Sequence, residues 1–161
     1  MAQIFQNCPL STANKGKIHE SFSTNNNWSY DWRQYIAMDN SNFQTAVNLW
    51  FSDEANATAT YGHIRDWNVS QVTNMHATFR HRNTFDENIT GWDVSNVTTM
   101  NQMFDGANTF NQPIGDWNVS SVTNMQDMFR SATDFNQSIG NWNTSSVTTM
   151  ETMFNLSLIH I

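Results

Sequence analysis

The chain has 161 residues, which is enough for one domain with a sizeable hydrophobic core. Its formal net charge is −7 and only 13% of its residues are charged, so Asn, Ser, Thr and Gln must supply much of the polar surface. An acidic chain cannot replace the counterions of a phosphate backbone, which argues against a nucleic-acid partner. Cys8 is the only cysteine, so no internal disulfide and no site built on several thiolates can form.

The N-terminal 40 residues are predicted to be an irregular lead-in that packs on the helix after it, with a disordered segment as the alternative. Their aromatic residues form one cluster: Trp28, Tyr30, Trp32 and Tyr35. The start of the chain lacks the apolar core of a signal peptide, so either the protein is not exported by that route or the true N-terminus is missing. No run of about 18 apolar residues occurs, so we expect no membrane insertion by this segment.

Residues 42–56 are predicted to form a helix, within a capping segment at residues 41–60. Four large apolar side chains recur at the helical period and share one face: Phe43, Val47, Trp50 and Phe51. Ser41 or Asn42 can cap the start of this helix. Because a stack of repeats exposes its apolar end unless a different element covers it, we interpret the helix as an N-terminal cap.

A 25-residue repeat occupies residues 61–155, in about three and a half to four copies. Residues 110–129 read FNQPIGDWNVSSVTNMQDMF, and residues 135–154 read FNQSIGNWNTSSVTTMETMF. Self-similarity at a fixed period is the signature of a repeat architecture. The columns predicted to form the structural core are Trp67, Trp92, Trp117 and Trp142; Met75, Met100, Met125 and Met150; and Phe79, Phe104, Phe129 and Phe154.

The spacing of apolar residues changes within each repeat. Val122, Met125 and Phe129 are separated by three and four residues, which predicts one to two turns of helix. The stretch 110–117 contains Pro113 and Gly115 and predicts a short extended segment followed by a turn. The predicted fold class is therefore an α/β repeat solenoid, similar to leucine-rich repeats, with one short strand and one short helix per repeat and an N-terminal helical cap.

The repeat pattern resembles that of a known family. Residues 61–75 read YG-x-I-x-x-W-N-V-S-x-V-T-x-M, and residues 103–117 read M-F-x-x-A-x-x-F-N-Q-x-I-x-x-W. This pattern resembles the BspA-like repeat of bacterial, mycoplasmal and protist surface proteins, over about residues 42–155. The resemblance implies a leucine-rich-repeat-like solenoid displayed outside the cell for adhesion or protein recognition, and it brings no catalytic residues. The first repeat departs from the pattern at Thr78 and Arg82, as expected for a terminal repeat.

The last six residues, LSLIHI at 156–161, break the repeat. They resemble the translation of an adapter used to prepare sequencing libraries. We therefore expect an assembly artefact here and a natural chain that continues with further repeats. Sequencing the same transcript from a library made with another adapter tests this expectation, and recovery of LSLIHI would contradict it.

The candidate binding face consists of polar residues that flank the isoleucine column: Asp86, Glu87, Asn111, Gln112, Asn136 and Gln137. Solenoids use their concave face for binding. We therefore predict a non-catalytic binding or adhesion module that recognises a protein or glycan on a cell surface. The family resemblance implies an extracellular or cell-surface location, and no cofactor is expected.

Other recurring polar residues favour alternative interpretations. The threonine column could order water, as in ice-binding solenoids, if it lay on a flat sheet: Thr73, Thr98, Thr123 and Thr148. A polysaccharide-active enzyme would instead need several acids on one turn. Three Asn-x-Ser/Thr sites recur after the tryptophans, where a turn favours a short polar side chain and where a secreted protein could carry glycans: Asn68, Asn118 and Asn143. The acidic column and the histidines of the first repeat predict no metal site.

Overall fold

The computed structural model describes residues 36–157, together with the single position 18. The predicted aromatic cluster of the lead-in and residues 158–161 of the adapter-like tail lie outside this range. The regular elements are β1 (Ala37–Asp39), α1 (Phe43–Ser52), α2 (Glu54–Tyr61), a 3-10 turn (Ile64–Asp66) and β2 (Asn68–Gln71).

Strand β1 pairs in parallel with β2, at the N-terminal end of the repeats. Met38 in β1 is fully buried in the core. Directly after β1, the side-chain Oδ1 of Asn40 accepts hydrogen bonds from the backbone N–H groups of Thr73 (3.0 Å) and Asn74 (3.2 Å). The end of the predicted lead-in therefore forms a strand that pairs with the first repeat.

The cap consists of two helices where the apolar spacing predicts one. The chain breaks at Asp53, whose backbone has φ −157° and ψ 83°, and the Asp53 carboxylate accepts a hydrogen bond from the N–H of Asn56 at 3.0 Å. Asp53 is thus the N-cap of α2, where a carboxylate oxygen satisfies a free N–H group. Helix α1 buries three of the four residues of the predicted apolar face, Phe43, Val47 and Trp50, together with Ala46, while Phe51 is half-buried.

Three 25-residue units and the 22 described residues of a fourth follow the cap, and we call residues 61–85, 86–110, 111–135 and 136–157 units 1 to 4. Equivalent residues of successive units are neighbours, joined by parallel bridges in the column Asn74, Thr99, Asn124 and Thr149. One column of phenylalanine rings stacks with centroids 5.5 to 5.7 Å apart: Phe79, Phe104, Phe129 and Phe154. A second column (Phe85, Phe110 and Phe135) lies against the first at 3.9 to 4.1 Å. The apolar core therefore runs through all four units.

The units are joined mainly through their ladder segments, which we define as residues 75–81, 100–106 and 125–131. In each segment every second backbone N–H donates to a carbonyl of the following unit, beginning with Met75 to Thr99 at 3.0 Å and ending with Ser131 to Asn155 at 2.8 Å. All of these N–H groups point toward the C-terminal end of the stack. The ladder thus has a direction, with donors on one side of each segment and acceptors on the other.

The short helix predicted within each unit is absent from residues 76–157, which contain turns and isolated bridges. An α-helix needs N–H groups bonded four residues back and negative φ throughout. Here alternate N–H groups bond to the next unit instead, and the backbone is left-handed at Gln102 (φ 58°) and Gly106 (φ 69°). Other N–H groups of these segments close turns three residues back, as from Met103 to Met100 at 3.1 Å. Such turns bring apolar side chains three or four residues apart to the same side of the backbone, as a helix does.

The predicted core columns are buried except at the last unit. All four tryptophans are buried, as are Met75, Met100 and Met125. Met150 departs from its column at 43% exposed, and Phe154 is half-buried. The cause is that no further unit covers unit 4 within residues 36–157.

Unit 1 departs from the repeat pattern at two polar residues, and each of them has a partner. Thr78 replaces a methionine and is buried, where its hydroxyl donates to the Met75 carbonyl at 3.0 Å. Arg82 stands where later units have alanine, and its guanidinium carbon lies 4.2 Å from the centroid of the Phe51 ring. Thr78 is therefore satisfied within unit 1, and Arg82 packs on the cap.

Candidate functional site

Five of the six residues of the predicted binding face are joined to one another from unit to unit. The Oδ1 of Asp86 accepts from the backbone N–H of Asn111 and from Nε2 of Gln112, each at 2.9 Å. One unit later, the Oδ1 of Asn111 accepts from Asn136 and Gln137 in the same way, at 2.9 Å. We call this arrangement the amide ladder.

The amide ladder holds its side chains in fixed positions on the surface. Each glutamine uses Nε2 as a donor to the previous unit, and its Oε1 has no hydrogen-bond partner among residues 36–157. Asp86 and Asn136 are exposed, while Gln112 and Gln137 are half-buried. The ladder therefore presents an ordered row of amide groups whose geometry repeats from unit to unit.

A cavity of about 280 Å³ adjoins the start of the amide ladder, where the cap meets unit 1 and unit 2. We call it the cap cavity, and it is lined by Trp50, Phe51, Ser52, Glu54, Thr84, Phe85, Asp86 and Glu87. It brings three carboxylates together with three aromatic rings. The sequence did not predict this grouping because Glu54 belongs to the cap and lies far along the chain from Asp86.

The histidines of unit 1 do not converge on one site. The His63 ring lies edge-on to Trp50 with centroids 4.9 Å apart, and its Nε2 is 3.8 Å from the Glu87 carboxylate. His76 instead lies 3.2 Å from the backbone carbonyl of Asn101 through its Nδ1. Across residues 36–157, no group of three His, Cys, Asp or Glu side chains is arranged to hold a metal ion.

The threonine column forms hydrogen bonds along the stack. The hydroxyls of Thr98, Thr123 and Thr148 each donate to the carbonyl of the threonine one unit earlier, at 3.0 to 3.1 Å. All three residues are exposed. The column runs beside the parallel bridges rather than along the helix that the spacing predicts.

The asparagines after the tryptophans form turns, as their recurrence indicates. The Oδ1 of Asn68 accepts from the hydroxyl of Ser70 at 2.7 Å, and Asn118 bonds to Ser120 in the same way. Asp93 fills this slot in unit 2 and accepts from the Ser95 hydroxyl at 2.6 Å and from its backbone N–H at 3.1 Å. These hydrogen bonds stabilise the ionised carboxylate and lower the pKa of Asp93.

A buried carboxylate links units 1, 2 and 3. Asp105 is 1% exposed and accepts from Arg80 Nε at 3.2 Å and from Arg130 Nε and Nη2 at 3.0 and 2.8 Å. The bond to Asp105 raises the pKa of Arg130. We call these residues the Asp105 clasp. The sequence shows that they share a 25-residue column but gives no sign that the acid is buried.

Comparison with known families decides what the chain is related to. Residues 45–158 match the family described as a Mycoplasma protein of unknown function, DUF285. The chain belongs to the DUF285 family. The match spans most of the cap and all four units of this DUF285 chain. No curated protein and no solved structure matches it.

DUF285 membership agrees with a repeat of mycoplasmal type but assigns no activity. Among residues 36–157 of this DUF285 chain, neither cap helix nor any other helix has the length and apolarity to cross a bilayer. The surface features considered below are the amide ladder, the threonine column and the cap cavity.

Proposed function

We propose that this DUF285 chain is a non-catalytic binding or adhesion module, displayed at the cell surface or outside the cell, that recognises a protein or a glycan. The observation that carries the proposal is the amide ladder. Its glutamine oxygens can accept hydrogen bonds, and the side-chain NH₂ groups of Asn111 and Asn136 have no acceptor among residues 36–157. A partner rich in hydroxyl or peptide groups offers the complementary donors and acceptors.

The rigidity of the ladder supports binding by this face. Ordering flexible side chains on binding costs about 0.5–1.5 kcal/mol for each one immobilised. The two glutamines are already fixed by bonds to the preceding unit, so much of this cost has been met on folding. Binding through amides also suits a chain with few charged residues.

We further propose that the stack is a solenoid of the leucine-rich-repeat kind and that its units are BspA-like surface repeats. The unit-to-unit ladder supports a solenoid, because each unit contacts only its neighbours through the same set of bonds. The DUF285 match supports a mycoplasmal repeat. A diffraction or NMR structure with one regular helix in every unit would favour an ordinary leucine-rich repeat over the turns described above.

The binding function is tested by screening the chain on glycan and protein arrays. A true ligand should bind the double variant Gln112→Ala/Gln137→Ala at least about tenfold more weakly, because two hydrogen-bonding groups are lost from the ladder. The matched control is Gln71→Ala/Gln126→Ala, which removes two glutamine amides from other columns. Thermal melts of both variants establish that they fold.

Two outcomes would contradict the proposal. One is that no array ligand distinguishes the ladder variant from the control. The other is that the ladder variant binds normally while folded, which would place recognition elsewhere on the surface.

The threonine column supports a second candidate, a structural or water-ordering surface. Its three exposed hydroxyls are held in register, one residue from the parallel bridges, by bonds to the preceding unit. Thermal hysteresis in the presence of ice crystals tests this candidate. Activity that disappears in Thr98→Lys/Thr123→Lys would support it, and hysteresis equal to that of an inert protein would reject it.

A further inference from the structure

The cap cavity combines aromatic walls with negative charge and has no cation in its lining. Trp50, Phe51 and Phe85 contribute rings, and Glu54, Asp86 and Glu87 contribute carboxylates. Its volume of about 280 Å³ is that of a site for one side chain rather than for a long ligand. Three like charges around one cavity repel one another, so a bound cation would be stabilised by all of them.

The carboxylates of the cavity are incompletely paired within residues 36–157. Asp86 uses Oδ1 in the amide ladder, and its Oδ2 has no partner. Glu54 makes no side-chain hydrogen bond or ion pair with the described residues, and Glu87 is 3.8 Å from the half-buried His63. An arriving donor therefore finds acceptor atoms that no other group occupies.

The rings of the cavity already attract a cation from within the chain. The guanidinium of Arg82 lies over Phe51 at 4.2 Å, although Arg82 does not line the cavity. A long basic side chain can lay its methylene groups along aromatic surface while its charged end reaches carboxylates or water. Of the other two rings, Trp50 and Phe85 are 5% and 3% exposed, so a cation from outside would meet their edges and the three acids of the cavity.

We propose that the cap cavity binds an arginine or lysine side chain carried by a protein partner. This inference rests on the proposed binding function and names the chemistry of its partner. A neutral glycan fits less well, because sugar hydroxyls need donors as well as acceptors and the lining offers only Ser52 and Thr84 as hydroxyl donors beside three carboxylates.

The test is an NMR titration of the full chain with the peptide acetyl-Gly-Arg-Gly-amide. Its neutral counterpart carries citrulline in place of arginine and has nearly the same shape. We expect saturable shifts confined to the backbone amides of residues that line the cavity, with no such shifts from the citrulline peptide. The affinity should fall as salt is raised, because partly exposed charges are screened.

Variants identify the carboxylates. Glu54→Gln should weaken arginine-peptide binding about threefold, and Glu54→Gln/Glu87→Gln about tenfold, as expected for exposed ion pairs. The matched control, Asp116→Asn/Glu151→Gln, removes two exposed acids from outside the cavity and should bind like the parent. Equal weakening by the control, or equal binding of the citrulline peptide, would overturn the proposal.

Other outcomes separate this inference from the proposed function. A neutral oligosaccharide that shifts the cavity amides more strongly than the arginine peptide would assign the cavity to a glycan and reject the basic side chain. An array ligand lost only in the amide-ladder variant, with no arginine-peptide binding, would reject the cavity and retain the ladder. Arginine-peptide binding without any array ligand would retain the cavity and reject the amide ladder as a binding face.

Discussion

Gly115 and Gly140 stand at the same position of successive repeats, yet only one of them has room for a side chain. A Cβ on Gly115 would collide with the backbone carbonyl oxygen of Ser138, whereas a Cβ on Gly140 would meet no atom within 4 Å. A backbone atom cannot move aside as the end of a flexible side chain can. Gly115 is therefore required where unit 3 approaches unit 4.

We predict opposite effects of the same substitution at these two glycines. Gly115→Ala should lower the free energy of unfolding by about 1–3 kcal/mol through overpacking. Gly140→Ala should be neutral or should stabilise by up to about 1 kcal/mol, because alanine restricts the unfolded chain. Urea unfolding of both variants measures the difference. Equal losses would show that the approach of the two units is looser than described.

Asp93 makes the free energy of unfolding depend on pH, whereas the asparagines at the same position of the other units do not. Its hydrogen bonds to Ser95 lower the pKa in the folded protein below the ordinary value of 3.8. A lowered folded pKa contributes stability above the unfolded value, and this contribution is lost as the pH falls through the folded pKa. Asn68 and Asn118 hold the same turn without titrating.

Asp93→Asn should therefore reduce the acid sensitivity of the fold. We expect the melting temperatures of parent and variant to differ near pH 7 and to converge as the pH is lowered to about 2.5. The parent loses the contribution of Asp93 below about pH 4, and the variant has none to lose. Parallel curves over the whole range would contradict this assignment.

At the scale of elements, the cap was predictable and the interior of each repeat was not. The spacing of Phe43, Val47 and Trp50 identifies an amphipathic helix, because these residues touch one surface at the helical period. The spacing of Met125 and Phe129 also predicts a helix, but these residues lie in a series of turns. Consecutive turns also return side chains to one side, and the N–H groups that exclude a helix bond to another unit, 24 residues further along.

The candidate site was also predictable only in part. The polar residues beside the isoleucine column were identified from the repeat, but their bonds to one another depend on how closely two units approach. The cap cavity depends on Glu54, whose position relative to unit 2 follows from the break at Asp53. No periodic signal encodes such a contact between a cap and a repeat.

The Asp105 clasp should contribute strongly to cohesion between units. Asp105→Asn removes a charge that receives three hydrogen bonds from two arginines, and hydrogen bonds to charged groups are each worth about 1.5–3 kcal/mol. We expect the free energy of unfolding to fall by at least about 1.5 kcal/mol. Asp116→Asn, at an exposed position, is the matched control and should change little. Equal effects would show that the clasp is as weak as a surface ion pair.

At the scale of the whole molecule, the cap covers one end of the stack, and no other part of residues 36–157 covers unit 4 at the other end. The N–H groups of Met150, Thr152, Phe154 and Leu156 are equivalent to the donors of the ladder segments but have no acceptor among residues 36–157. Leu156 is 75% exposed there. Unit 4 therefore has an unsatisfied edge and part of the core uncovered.

A further unit should stabilise the stack. In a variant whose residues after 157 are a copy of residues 133–157, the four N–H groups gain acceptors and Met150 becomes covered. We expect the melting temperature to rise by roughly 5 °C or more, since each kcal/mol corresponds to several degrees in a domain of this size. The control is a scrambled extension of the same composition. A similar gain from the scrambled extension would contradict the role of the ladder.

The direction of the ladder also bears on how copies of the chain avoid joining into filaments. Stacked phenylalanines and amide rows are features of amyloid cores, and an open edge with unpaired backbone groups invites addition of another chain. Two open ends related by a twofold axis would set ladder donors against ladder donors, so the ladder rows are not self-complementary, whereas the threonine column bonds in the opposite direction. A head-to-tail contact is blocked because α1 and β1 occupy the opposite end. The polarity of the ladder and the cap together give a second copy of residues 36–157 no matching ladder edge on which to stack.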